Sequence, residues 1–321
     1  MKKRLFTSVQ MIPISFFVAI MVGALFLMLP FSSASGKWTP FVDALFSAAT
    51  SICVTGLTVC DTGTYWSLFG QIVILILIQL GGLGIITVAS MFMLTTQKKF
   101  TLADRMMVAD ALNLGKTTGV LRFMISLFKG TFAVELFGAL VYATVFIPKY
   151  GVARGIWVSI FNAVSAFCNA GMDIMCCDSM VGVRDNPLVM GVTMALIIMG
   201  GLGYVVWFDF CDKLKNGVIK KFSPVQIFKR FNEHTKLVIC LTLFLLFAGT
   251  IIIFAAEFNN PKTIGKMGIL DKLANSFFES VTFRTAGFYS FPQESMTDIS
   301  CIAAYILMFI GGSPIGTAGG V

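Results

Sequence analysis

The chain has 321 residues, of which 57% are hydrophobic and only 12% are charged, and its mean hydropathy is +0.86. A soluble domain carries about 25% charged residues, so the composition excludes an ordinary soluble protein and predicts an all-α polytopic membrane protein. The net charge of +8 follows from membrane topology, and we expect no nucleic-acid partner. The sole histidine, His234, lies in the basic connection at 209–236, which is predicted below to be a cytoplasmic linker, so we expect no Ser/His/Asp or Cys/His set around it and no enzyme.

Uncharged apolar runs that could each form a membrane-spanning helix of roughly 20 residues recur along the chain. The first follows Met1–Arg4; it is too long for a signal peptide, so we interpret it as the first span. The sixth candidate, at 123–148, contains Lys129 and Glu135. We expect structural roles for both: Lys129 extends to the interface and Glu135 pairs with a neighbouring helix. The runs cover residues 5–36, 62–97, 186–208, 237–256, 299–321 and, as a sixth candidate, 123–148.

Basic residues set the predicted orientation. Of the 24 Lys and Arg residues, 15 lie in the N-terminus and in the connections at 95–122 and 209–236. The positive-inside rule places these segments, and therefore the N-terminus, in the cytoplasm. Each module then consists of an outgoing span, a helix and loop on the outer side, and a returning span.

One pattern occurs three times between the spans: a short apolar helix runs into a loop that contains glycine. A phenylalanine stands ten residues before each of Gly56, Gly171 and Gly287, and the glycines are 115 and 116 residues apart. A second glycine marker recurs in step at 81–84 (GGLG), 200–203 (GGLG) and 311–314 (GGSP). A period above one hundred residues indicates duplicated modules rather than a solenoid. We divide the chain into modules at 1–122, 123–235 and 236–321.

The repeated helix is too short to cross a membrane. From Asp43 to Cys53 it has 11 residues, about 16 Å, or half of a hydrocarbon core of about 30 Å, so we expect it to re-enter. Irregular backbone at that depth is tolerated beside a water-filled cavity, where its carbonyls can replace the hydration shell of a cation. The alternative is that the glycines are helix-packing contacts. The candidate ion-filter residues are Val54, Thr55, Gly56, Asn169, Ala170, Gly171, Thr285, Ala286 and Gly287.

Five motifs follow one another through the modules: Thr50–Val59 (TSICVTGLTV), Leu77–Ile85 (LIQLGGLGI), Ser165–Gly171 (SAFCNAG), Arg284–Phe288 (RTAGF) and Met308–Gly320 (MFIGGSPIGTAGG). In this order they resemble the potassium-translocating subunits of the KtrB/TrkH family. The resemblance implies a pseudo-fourfold pore of helix–re-entrant pore loop–helix modules, with potassium uptake as the function. It also implies a homodimer that binds a cytosolic nucleotide-binding regulatory subunit. By the same resemblance, the gate-loop residues are Gly311, Gly312, Ser313, Gly316, Thr317, Gly319 and Gly320.

Members of that family have four modules, whereas this chain has three and stops at Val321, inside the implied gate loop. We expect the fourth module to come from a longer gene or another chain; the alternative is a non-conducting truncated remnant or an assembly partner. Glycine in all three loops favours potassium by resemblance, with sodium as the second candidate ion.

Arg284 stands three residues before Gly287, and we expect it either to be tied to Glu279 or to anchor the loop behind the filter. Cys176 and Cys177, together with 18 Met residues, leave soft-metal transport as an alternative. However, the eight cysteines show no zinc spacing, so we expect no metal or cofactor apart from the transported ion.

Overall fold

The computed structural model describes residues 8–84, 87–88, 120–175, 179–219, 223–314 and 316–320. Across these residues the backbone forms helices, turns and one isolated antiparallel bridge, between Ser33 and Trp66. The predicted all-α class is therefore confirmed. The chain divides into two compact units, Met1–Cys177 and Asp178–Val321. The predicted module boundaries are boundaries of a repeat rather than of compact units, and they stay a prediction.

The first unit contains five of the described helices: α1 (Ser8–Met28), α2 (Phe41–Ile52), α3 (Leu68–Leu83), α4 (Val120–Tyr150) and α5 (Val152–Phe167). Helix α1 packs on α2 and α3, while α4 and α5 pack against each other as a hairpin, and α3 also contacts α5. Helix α3 begins where the Ser67 side chain accepts a hydrogen bond from the Gly70 amide, the usual way to satisfy a free amide at a helix N-terminus. The basic connection predicted at 95–122 lies outside the described residues as far as position 119.

The second unit contains α6 (Pro187–Gly201), α7 (Tyr204–Ile219), α8 (Pro224–Lys229), α9 (Glu233–Glu257), α10 (Ile269–Thr282) and α11 (Asp298–Ile310). Helix α9 packs on both α10 and α11, and α10 also contacts α6. The core between them contains Leu245, Ile253, Phe283, Phe291 and Leu307. Three single turns of 3-10 helix complete the described secondary structure: Pro30–Ser32 in the first unit, and Val181–Val183 and Gln293–Ser295 in the second.

Two helices in the described part of the chain are long and apolar enough to cross a membrane, α4 and α9. They confirm the spans predicted at 123–148 and 237–256. The other predicted runs contain shorter apolar helices, namely Pro13–Met28 within α1, α3 and α11. The run at 186–208 is not one straight span, because α6 and α7 meet at an angle of 103°. The bend falls at Gly203, whose φ of +83° is incompatible with a continuing right-handed helix.

Candidate functional site: filter loops and gate loop

The three repeated helices end at corresponding points before their loops. Helix α2 ends four residues before Gly56, α5 four residues before Gly171, and α10 five residues before Gly287. They have 12, 16 and 14 residues, or about 18–24 Å at 1.5 Å per residue. All three are therefore shorter than a hydrocarbon core of about 30 Å, in agreement with the prediction from the first repeat.

The three loops share an unusual backbone conformation. Val54, Asn169 and Thr285, each two residues before its filter glycine, have φ angles of 54°, 57° and 66°. The filter glycines follow with φ angles of 77°, 64° and 85°. In the described residues, Ser179 is the sole other non-glycine residue with a positive φ. A left-handed conformation costs a non-glycine residue about 1–2 kcal/mol, and strain of this kind concentrates at functional sites.

Hydrogen bonds within each loop hold this conformation. The Thr55 amide donates to the Thr50 carbonyl oxygen at 3.0 Å, and the Ala170 amide donates to that of Ser165 at 2.8 Å. These six-residue closures, with a left-handed residue inside, are the Schellman motif of helix C-termini. In the third loop the Ala286 amide donates instead to the Thr282 carbonyl oxygen at 2.8 Å. In all three loops, the amide just before the filter glycine is thus held by a carbonyl oxygen in the last turn of the helix.

A side-chain hydroxyl in the last helical turn also contacts each loop. Thr50 Oγ1 and Thr55 Oγ1 are 2.6 Å apart. Ser165 Oγ accepts from the Met172 amide at 3.1 Å, and Thr282 Oγ1 donates to the Phe288 carbonyl oxygen at 2.6 Å. These hydroxyl residues were not among the predicted site residues, although a Thr or Ser six residues before the glycine in two of the repeats was a readable signal.

In the first unit, the glycine marker near the end of α3 packs against the ends of α2 and α5, the two helices that precede the filter loops. A Cβ atom on Gly81 would lie 2.0 Å from the carbonyl oxygen of Ile52, the last residue of α2. A Cβ atom on Gly82 would lie 2.6 Å from Sγ of Cys168, the first residue after α5. Only glycine allows α3 to approach the two helix ends this closely, so the marker supports the loops sterically.

Glu135 pairs with a neighbouring helix, as expected. Gln79 Nε2 on α3 donates to both carboxylate oxygens of Glu135 on α4, at 3.0 and 3.2 Å. The thiol of Cys168 lies 3.8 Å from Gln79 Oε1 and 4.0 Å from Glu135 Oε1. The buried carboxylate therefore links two helices beside the second filter loop, which is a structural role. Lys129 is exposed, as its predicted extension to the interface requires.

In the second unit, the predicted gate loop crosses the bend between α6 and α7. The loop closes on itself, since the Gly312 amide donates to the Gly319 carbonyl oxygen at 2.8 Å. The Ser313 amide donates to the carbonyl oxygen of Gly201 at 2.8 Å, and the Thr317 amide donates to that of Gly200 at 3.1 Å. The bend leaves these two carbonyls without the helical partners that a continuous helix would supply, and the gate loop satisfies them.

The third filter loop also holds the gate loop. Arg284 Nε donates to the Gly311 carbonyl oxygen at 3.0 Å, and Thr285 Oγ1 accepts from the Gly319 amide at 2.8 Å. The predicted tie between Arg284 and Glu279 is wrong. Glu279 Oε1 instead accepts from the amide and the hydroxyl of Ser290, at 2.7 and 3.0 Å. The guanidinium is drawn to Gly311 because that residue caps α11, where a helix end carries partial negative charge.

The predicted residues are distributed over the two units. The first unit contains the first two filter loops, with Thr55 exposed and Asn169 and Ala170 buried. The second unit contains the third filter loop and the gate loop. Among the described residues, no group of three His, Cys, Asp or Glu side chains could hold a metal ion. Cys176 and Cys177, on which the soft-metal alternative rested, lie outside the described residues.

Comparison with known proteins adds relatives along the whole chain. Residues 4–321 match the TrkH family, described as cation transport protein. The chain is 41% identical to the potassium/sodium uptake protein NtpJ of Enterococcus hirae, and it covers 69% of that protein. It is 40% identical to the Ktr system potassium uptake protein B of Bacillus subtilis, of which it covers 68%. These alignments include 100% and 98% of this chain.

The fold is similar to the crystal structure of the potassium transporter TrkH from Vibrio parahaemolyticus, with a TM-score of 0.70 and 16% identity. That match covers 99% of this chain and 60% of the other. The chain thus spans about two thirds of the length of the curated relatives named above. The family match over nearly every residue, with two relatives at or above 40% identity, shows that the chain belongs to the TrkH family of cation transport proteins, which are membrane transporters and not enzymes.

Proposed function

We propose that this chain forms the potassium-conducting part of an uptake system of the Ktr/Trk type in the cell membrane. The observation that carries the proposal is the threefold recurrence of one strained loop conformation directly after a short helix. The names of the relatives from Enterococcus hirae and Bacillus subtilis, a potassium/sodium and a potassium uptake protein, support the choice of ion. Helix packing alone would not require left-handed Val, Asn and Thr residues at corresponding positions.

The filter is proposed to bind the ion through backbone carbonyls. None of the nine filter residues from Val54 to Gly287 named above is acidic, so selection rests on carbonyl oxygens that replace the hydration shell of the ion. The carbonyl end of each short helix adds partial negative charge where the cation would pause. Potassium is the proposed ion and sodium the second candidate, and no resident cofactor is proposed.

The remaining parts of the proposal concern gating and assembly. Residues 311–320 act as the gate loop, and the basic connections at 95–122 and 209–236 face the cytoplasm with the N-terminus. A cytosolic nucleotide-binding regulatory subunit docks on that side, and the conducting subunit is a homodimer. The curated relatives are longer than this chain, and we propose that a fourth module of the pore is supplied by a longer gene or another chain.

The test is growth of a bacterium that lacks its own potassium uptake, at limiting potassium. Two proteins are compared: the 321-residue chain, and a chimera in which the C-terminal third of the Enterococcus hirae relative follows residue 321. We expect the chimera to restore growth and potassium flux. We also expect Gly56→Ser in the chimera to raise sodium flux relative to potassium flux, because a Cβ atom and hydroxyl disturb a backbone with φ of 77°. Unchanged selectivity after serine substitution at each of Gly56, Gly171 and Gly287 would contradict the filter assignment.

A further inference from the structure

Two consecutive side chains at the start of the third filter loop hold both ends of the gate loop. Arg284 donates to the carbonyl oxygen of Gly311, the first residue of the gate loop, and Thr285 accepts from the amide of Gly319, near its end. Arg284 is 8% exposed, so its charge is shielded from solvent and its hydrogen bond is correspondingly strong. The gate loop cannot move away from the filter loop without breaking these two hydrogen bonds.

The corresponding residues of the other two modules do not provide this pair of side-chain groups. Three and two residues before the filter glycine, the first module has Cys53 and Val54, and the second has Cys168 and Asn169. Neither pair has a guanidinium or a hydroxyl. The pair Arg284–Thr285 is therefore specific to the module whose returning helix, α11, ends in the gate loop. The threefold repeat explains the loop conformation but not this pair.

Thr285 takes part in both loops, through its backbone in the filter loop and through its side chain in the gate loop. Its φ of 66° is part of the strained conformation of the filter loop, and its hydroxyl bonds the gate loop. Any change in the filter loop that rotates the Thr285 backbone must also displace the hydroxyl from the Gly319 amide. Because the side chain is β-branched, its hydroxyl cannot compensate freely by rotation about χ1.

From this geometry we infer that Arg284 and Thr285 couple the ion occupancy of the third filter loop to the position of the gate loop that they hold by hydrogen bonds. They are positioning residues, which act on permeation through the gate loop rather than by contact with the ion. The inference rests on the proposed function, since it takes residues 311–320 as the gate. An ion in the filter fixes the backbone at Thr285, and this keeps the hydroxyl in place to hold Gly319.

The first test measures amide hydrogen exchange in residues 311–320 of the 321-residue chain in lipid nanodiscs, without potassium. Thr285→Val should accelerate exchange about fivefold, the loss of one neutral hydrogen bond, and Arg284→Met by roughly tenfold or more, the loss of a charged one. Thr285→Ser keeps the hydroxyl and should exchange as the unmodified chain does. The matched control is Thr250→Val, since in the described part of the chain the buried Thr250 hydroxyl donates within its own helix α9, to the Leu246 carbonyl oxygen. Exchange at the unmodified rate in both Thr285→Val and Arg284→Met would overturn the inference.

The second test separates coupling from a merely structural role, by repeating the measurement on the chimera in potassium chloride and in N-methyl-D-glucamine chloride. We expect potassium to slow exchange of residues 311–320 at least twofold in the unmodified chimera and in its Thr250→Val variant, but not in its Thr285→Val variant. The same potassium effect in Thr285→Val, or none in the unmodified chimera, would overturn the coupling. Potassium flux through the chimera tests the proposed function separately: flux without a potassium effect on exchange refutes only the coupling. Absence of flux refutes the conducting role, and the two contacts are then judged by the exchange rates measured without potassium.

Discussion

Replacement of Gly81 by alanine tests whether the first filter loop depends on the close approach of α3. The added Cβ would lie 2.0 Å from the Ile52 carbonyl oxygen, 2.8 Å from its carbonyl carbon and 3.0 Å from Val54 Cγ2. An ordinary contact begins at 3.4 Å, so α3 and the end of α2 would have to separate by about 1.4 Å, the difference between 3.4 and 2.0 Å. Two of the three atoms are backbone, which cannot move aside as a flexible side chain can.

The cost of this separation lies at the upper end for an overpacked core. Overpacking typically destabilises by about 1–3 kcal/mol, and we expect roughly 3 kcal/mol because the obstruction is backbone. A protein of this size would then lose roughly 5 °C in melting temperature. Since Ile52 ends α2 and Val54 belongs to the filter loop, the displacement should also reach the filter. The sodium-to-potassium flux ratio should therefore rise together with the loss of stability.

The measurements are thermal unfolding of the chain in detergent and ion flux through the chimera. Gly191→Ala is the matched control, because Gly191 lies within α6 and a Cβ there meets nothing within 4 Å among the described residues. That variant should be neutral or slightly stabilised, by about 0.5–1 kcal/mol, since alanine favours the helix over glycine. If Gly81→Ala melted within 1 °C of Gly191→Ala and kept the unmodified flux ratio, the steric argument would be refuted.

Three further changes test other contacts. Ser165→Ala removes the acceptor of the Met172 amide, and it should cost about 1 kcal/mol of stability and lower potassium selectivity. Its control is Ser159→Ala on the same helix, which removes a hydrogen bond to the Gly155 carbonyl oxygen and should leave selectivity unchanged. An unchanged sodium-to-potassium flux ratio in Ser165→Ala would contradict the role of this hydroxyl. The free energy of unfolding of Glu135→Gln should lie within about 1 kcal/mol of that of the unmodified chain, because an amide oxygen still accepts from Gln79. That of Glu135→Ala should be lower by about 1–3 kcal/mol. Equal stability of the two variants would contradict the pairing. Gly203→Ala should accelerate amide exchange at Ser313 and Thr317, because its Cβ would lie 2.7 Å from the Pro314 carbonyl oxygen; unchanged exchange would show that the α6–α7 bend does not hold the gate loop.

The sequence alone was sufficient for the features that depend on composition and on repetition. Hydropathy identified α4 and α9 as spans because a long apolar run has few alternatives to a membrane helix. The recurrence of Phe and Gly located the three short helices and their loops to within a few residues. The positive φ angles at Gly56, Gly171 and Gly287 could also be anticipated, because glycine is the residue that adopts them without strain.

The sequence could not show which partners each polar group has in the fold. Arg284 and Glu279 are five residues apart with opposite charges, which made an ion pair the simplest expectation. In the fold, Glu279 is satisfied by Ser290 and Arg284 by a helix-end carbonyl that lies 27 residues away. The bend at Gly203 was missed for a related reason. The bend exposes the carbonyl oxygens of Gly200 and Gly201, which accept hydrogen bonds from a segment more than 100 residues later. An uninterrupted apolar run contains no sign of such a distant partner.

The glycine marker that recurs in all three modules has a different physical use in each. In the first module, Gly81 and Gly82 lack side chains so that α3 can approach the ends of α2 and α5. In the second, Gly200 and Gly201 end a helix and present carbonyl oxygens to the gate loop. In the third, Gly311 and Gly312 are themselves part of that loop. The glycines of each copy therefore lack side chains, and their neighbours decide whether that absence serves close packing, a carbonyl presented to the gate loop, or a turn with a positive φ angle. The repeat therefore identifies the modules, whereas the hydrogen bonds to residues 311–320 identify the module that contains the gate loop.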